Sequence, residues 1–184
     1  MSQMSDSAFA LGGNAEMLRD RHDAYRLLEK LGASERLLQH VRQVGEAADR
    51  LMRAYQQLGI VFDATMIELG AAMHDAGKIL YPEELDGPGA RHEPSGQTLL
   101  LAHDVPLEIT RCCVSHGTWN RVEVSFEERT VALADMLCRG ARELRLEQSI
   151  VAMAADRLST DRQSIHEELN RTFERIATAN LGYA

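Results

Sequence analysis

At 184 residues the chain suffices for one domain with a substantial core and no disulfide staples, and its net charge of −8 excludes a general nucleic-acid binder, which needs a basic face. Apolar residues make up 45% and aromatics only 5%, there are four prolines, and good helix formers dominate, so a nearly all-helical protein is expected. Cys112, Cys113 and Cys138 lack CxxC spacing and read as free thiols, and neither a signal peptide nor an apolar span stands out; a cytoplasmic, membrane-free protein is expected.

Residues 1–14 are rich in Ser, Gly and Ala and read as a loose tail. A first helix is expected over residues 15–31, with Leu18, Tyr25, Leu27 and Leu28 as its apolar stripe. Gly32 stops it, and Ser34 caps a second helix that runs to Leu58 and buries Leu37, Val41, Val44, Ala48, Leu51 and Tyr55. His40 shares that face, either as a hydrogen-bonded core residue or as a ligand. Arg36, one turn earlier, is a surface charge or an arm into the same cleft.

Asp63 caps a third helix, expected to reach Ala76, and this helix carries the stretch GAAMHDAGK at 70–78. Its small apolar residues predict a tightly packed helix end. An ionised Asp75 there must be paired or bound to metal, because burying it alone costs many kcal/mol. His74 supplies an imidazole beside it, Gly77 lets the backbone bend, and Lys78 leaves a cation where an anionic substrate would be held.

Residues 79–91 hold two prolines, two glycines, three acids and an arginine, and read as a loop over the site, either a lid or a plain connection. His92 opens the next helix, where Gly96 permits close helix approach. His103-Asp104 repeats the His–Asp dipeptide, but Val105-Pro106 ends the helix there, so it reads as an exposed turn. Pro106 opens a fifth helix that closes at His116-Gly117, and a connector carries the only tryptophan, Trp119. Ser125 and Glu128 form a capping box for a sixth helix. In that helix Asp135 is the one carboxylate among eight otherwise apolar residues, so it is ion-paired by Arg129 or Arg139, or it binds metal. Two amphipathic helices, over 146–158 and 161–179, complete the chain, packing on the core or on a partner in a homodimer. His22 and His166 stand outside every cluster.

The ordered set is thus His40, His74-Asp75, His92, His116 and Asp135, each member from a different helix, which is how helical proteins build metal sites. Mixed imidazoles and carboxylates favour Mn, Fe, Co, Ni or Zn over calcium.

This pattern resembles the HD-domain metal-dependent phosphohydrolases, whose H…HD…D signature is matched by His40, His74-Asp75 and Asp135. The surroundings LLQHVRQV, HDAGK and VALADML are similar too, and HEPSG and SHG resemble segments that supply two further histidines in the two-metal branch. The resemblance covers residues 34–142 and implies a compact all-α HD-domain bundle spanning 15–142, with 143–184 as extra C-terminal helices. It implies that His40, His74, Asp75 and Asp135 hold a first metal, that Asp75 bridges to a second held by His92 and His116, and that Lys78 contacts the substrate phosphate. The implied reaction is hydrolysis of a small phosphate ester, such as a nucleotide or related phosphomonoester or phosphodiester, by a metal-activated water. Arg36 and Arg129 are candidates for neutralising phosphate charge, and Trp119 for stacking on a base. After His116 the chain reads GTWN, without the GYP extension of cyclic-dinucleotide phosphodiesterases, which argues against cyclic-di-GMP cleavage. An inactive HD-fold signalling or adaptor module and a di-iron HD-type oxygenase are the competing readings.

Overall fold

A computed structural model of the chain describes residues 18–121 and 123–179; the tail expected over 1–14 lies outside them. Helix α1 (Arg21–Lys30) starts where the Asp20 side chain caps it, accepting from the His22 and Asp23 N–H groups, and residues 15–17 of the helix expected over 15–31 lie outside the described residues. Helix α2 (Glu35–Leu58) starts on Ser34, whose hydroxyl accepts from Leu37 N at 3.2 Å. It ends on Gly59, at φ 77°. Asp63 caps α3 (Ala64–Met73), accepting from Met66 N at 2.9 Å.

Helix α3 stops three residues before the expected Ala76. His74 is its C-cap, Asp75 takes φ −103° and ψ 15°, and a 3₁₀ turn, η1 (Ala76–Ile79), follows. A second turn, η2 (Pro82–Leu85), lies inside the expected loop. Then come α4 (His92–Leu101), α5 (Leu107–Thr110) and α6 (Cys112–Ser115), the last two in place of one continuous fifth helix. The capping box of Ser125 and Glu128 opens α7 (Phe126–Cys138), and α8 (Leu144–Leu158) and α9 (Arg162–Ala177) follow. No strand occurs among the described residues, and none of their helices is long and apolar enough to cross a membrane.

Two apolar clusters meet along α2 and α3. The larger joins Val44, Leu51 and Tyr55 to Val131 and Leu137 of α7, and to Ile150 and Phe173 of α8 and α9. The smaller gathers Leu28, Leu37 and Val41 with Leu69 and Met73. Helix α3 is buried on both sides, Ile67 and Ala71 in one cluster and Leu69 and Ala72 in the other, as an all-round apolar helix requires. Each large aliphatic residue buried this way contributes about 1.5–3 kcal/mol, which makes α3 a firm mount for the residues at its end. The C-terminal helices therefore share the main core with α2 and α7.

Gly77 serves a different purpose from the expected bend. A Cβ there would lie 1.9 Å from the His92 carbonyl oxygen, and one on Gly96 would lie 2.7 Å from the Gly77 nitrogen. Turn η1 and helix α4 thus touch backbone to backbone, which brings His92 against Asp75.

Candidate metal centre

The early end of α3 builds the first part of the site. Where an α-helix stops, its last carbonyls lose their intrahelical partners. The carbonyl of Ala71 is used by the His74 ring, whose Nδ1 lies 2.9 Å away. A carbonyl can only accept, so Nδ1 carries a proton, and in the neutral ring Nε2 presents a lone pair. His116, the C-cap of α6, is fixed the same way, with Nδ1 2.9 Å from the Cys112 carbonyl. His92 is held by a carboxylate instead, with Nδ1 2.7 Å from Glu84 Oε2.

The freed Nε2 atoms converge on two carboxylates. Asp75 Oδ2 lies 3.0 Å from His40 Nε2, 3.5 Å from His74 Nε2 and 2.7 Å from Lys78 Nζ. Its other oxygen, Oδ1, lies 3.4 Å from His92 Nε2 and 3.7 Å from His116 Nε2. Asp135 Oδ1 completes the first side, 3.2 Å from His40 Nε2 and 3.7 Å from His74 Nε2. The structure thus brings together all six expected ligand residues, and also Lys78. Ligand atoms of His40, His74 and Asp75 lie within 4.8 Å of one another, as do those of Asp75, His92 and His116.

The donor set fits divalent ions. Among the described residues His74 Nε2, His92 Nε2, Asp75 Oδ1 and Asp135 Oδ1 are buried and make no hydrogen bond. In its neutral form each of His92 and His116 turns a lone pair to an ionised oxygen of Asp75, and two acceptors at 3.4–3.7 Å repel unless a cation lies between them. Small divalent ions take N and O donors at about 2.0–2.2 Å, so these separations suit ions placed between them.

Charge is tightly coupled here. Burial opposes ionisation of Asp75, yet the imidazoles of His74, His40 and His116 and the Lys78 ammonium hold its carboxyl well below the usual range. Asp135 is held far down against the same burial by His40 and His74, with Arg139 adding its charge. Burial alone would lower His40, but the Asp135 and Asp75 carboxylates beside it raise it to about 9. Burial, reinforced by His74, lowers His116 to about 4.

The other expected substrate residues have partners of their own. Arg129 Nε donates to the Trp119 carbonyl at 3.0 Å and Nη2 to the Arg121 carbonyl at 2.8 Å, so its guanidinium ties down the connector. Trp119 is half-buried against the main core. Arg36, exposed, pairs with Asp86 of the 79–91 loop. His103 is exposed, and Asp104 turns to φ 59° after the end of α4. His22 and His166 are exposed as well.

Three residues at the site escaped the sequence reading or were read otherwise. Arg139, weighed only as an ion-pair partner, binds Asp135 through its guanidinium while 44% of its side chain stays exposed. Cys138, buried next to it, has its sulfur 3.2 Å from the Asp135 carbonyl and groups with His40 and Asp135. Glu84 was one of three acids in an apparently solvated loop, and nothing in the pattern PEELDGPG marks it as inward. All three cysteines are buried and carry no disulfide.

In a comparison with protein families, the family model described as HD domain matches residues 37–161, about two thirds of the chain. No curated protein and no solved structure matches the chain.

Proposed function

The chain belongs to the HD domain family, a superfamily of mostly metal-dependent phosphohydrolases, and on that premise we propose that it hydrolyses a small phosphate ester, a nucleotide or a related phosphomonoester or phosphodiester. One observation carries the reading. The two oxygens of a single buried carboxylate, Asp75, face separate imidazole sets, His40 with His74 on one side and His92 with His116 on the other. That is the arrangement of a bridging ligand between two ions. His40, His74, Asp75 and Asp135 hold the first ion in this reading, and Asp75, His92 and His116 the second.

Bound there, a divalent transition metal such as Mn, Fe, Co, Ni or Zn supplies Lewis acidity and lowers the pKa of a water by several units. The chain's own cations do the rest. Lys78 and Arg139 each hold a carboxylate oxygen of the cluster. With those carboxylates also holding metal, Lys78 and Arg139 would be available to a phosphate at the rim, where they would neutralise charge that develops as the ester breaks. Arg139 takes the place in this reading that the sequence offered to Arg129. Side-chain exposure supports an approach from that rim, since His74 and Asp75 are 0–1% exposed whereas Lys78, His40 and His116 are 8–10% exposed.

The test is elemental analysis of protein purified without added metal, then a nucleotide and phosphomonoester panel with Mn, Co, Ni, Mg and Fe. Bound metal with metal-dependent phosphate release supports the hydrolase. Bound metal without turnover favours the adaptor reading, or the di-iron oxygenase if dioxygen is consumed. No metal under any condition overturns the site.

A further inference from the structure

Glu84 lies in η2, eight residues before His92, and is 6% exposed. Its carboxylate does three things at once. Oε2 accepts from the His92 ring at 2.7 Å and from the His92 backbone N–H at 3.0 Å, while Oε1 accepts from the Arg91 N–H at 3.3 Å. The loop closes over it, because Gly89 packs so tightly that a Cβ would lie 2.4 Å from the Glu84 carboxyl carbon. Two more contacts hold the same loop: Asp86 pairs with Arg36 of α2, and the Arg91 guanidinium stacks 4.0 Å from the Tyr81 ring centre.

His92 is thereby treated differently from its neighbours. His74 and His116 are oriented by neutral carbonyls of their own helices. His92 is oriented by an anion brought from another segment, which both fixes its tautomer and makes its Nε2 a stronger donor. We propose that Glu84 is the positioning residue of the second ion site, aiming His92 Nε2 at Asp75 Oδ1 and making closure of the 82–91 loop and occupation of that site one coupled event. The inference rests on the two-ion reading above. Because coupling is reciprocal, an ion at the second site protects the loop, and the closed loop tightens the ion.

A competing explanation is that Glu84 merely caps the start of α4. Glu84→Gln separates the two, since glutamine keeps an acceptor but loses the charge. Gly89→Ala is an independent variant: it alters no ligand and no residue that touches one, except by pushing the Glu84 carboxylate aside. The probe is cobalt alone, titrated into the metal-free full chain and followed by visible absorption and calorimetry, with hydrogen exchange at Arg91 and His92 as second readout. The wild-type chain is expected to take up two ions. Both variants weaken the second ion about 10–100-fold and leave the first within about twofold, the loss typical of removing such an outer partner. Exchange at Arg91 and His92 slows on loading the second site in the wild type and much less in the variants. Second-site affinity within about twofold of wild type in both variants overturns the inference and leaves the two-ion reading standing. Equal weakening of both sites also overturns it, as the mark of general structural loss. A wild-type chain that binds a single ion overturns the two-ion reading and this inference together.

Discussion

In the metal-free chain His40 is the group that reports on the site. Its folded pKa is raised from 6.5 to about 9 by Asp135 and Asp75, against the opposing effect of burial. At about 1.4 kcal/mol per pH unit this corresponds to about 3 kcal/mol. The protonated form is the one the fold favours, so the stabilisation is full below pH 6.5 and is lost as pH rises through about 9. His116 has the opposite sign: its pKa is lowered to about 4, so its contribution is present above 6.5 and is lost as pH falls from 6.5 through 4. The buried thiols of Cys112 and Cys113, both raised, add alkaline losses of the same sign that set in as pH approaches 9, where they ionise in the unfolded chain, and the raised Tyr55 hydroxyl adds its own near 10. The window from 6.5 to 9 is therefore dominated by His40. Urea unfolding in chelator at half-unit pH intervals should show stability falling by about 3 kcal/mol across it, and His40→Gln should flatten that limb. Metal uptake must displace the same proton, so apparent affinity should rise with pH up to about 9. A wild-type chain whose metal-free stability is level or rising between pH 6.5 and 9 would refute the coupling of His40 to the two carboxylates.

Asp75→Asn should lose both ions by elemental analysis, whereas His116→Ala should lose only the second. In metal-free protein the Asp75→Asn change also leaves the buried Lys78 ammonium without its 2.7 Å partner, so denaturant unfolding should show a loss of about 3–5 kcal/mol. Arg139→Ala should raise KM for phosphate esters in steady-state kinetics, while Arg129→Ala should chiefly lower thermal stability, by about 1–3 kcal/mol, because it frees the connector carbonyls of Trp119 and Arg121. Gly77→Ala drives a Cβ to 1.9 Å from the His92 carbonyl, so calorimetric melting should show a large destabilisation and titration a weakened second ion.

Much of this protein was legible in its sequence because the relevant physics is short-range. Ser34, Asp63 and the Ser125–Glu128 box cap the helices they were expected to cap, since a cap involves residues only two or three apart. The inward placement of His40 followed from apolar periodicity and that of Asp135 from its place in a continuous apolar run, because a lone polar residue among buried neighbours must be satisfied there. The order H…HD…D, taken with its helical surroundings, pointed to the family that the HD domain model then matched. Tertiary packing decided the rest. Helix α3 ends at His74 rather than Ala76, where the ring takes the freed Ala71 carbonyl and η1 meets α4 at Gly77 and Gly96. Arg129 was as good a cation as Arg139 on paper; which one meets Asp135 depends on the single turn between Asp135 and Arg139 and on the connector that claims Arg129. Glu84 was unreadable, since a glutamate in a Pro- and Gly-rich loop becomes an anchor only when folding sets it 2.7 Å from a histidine eight residues away. The sequence by itself determined which side chains could bind a metal, because that is a property of their donor atoms. Only the tertiary structure decided that Asp75 turns one oxygen to each imidazole pair, because the direction of a buried carboxylate is set by everything packed around it.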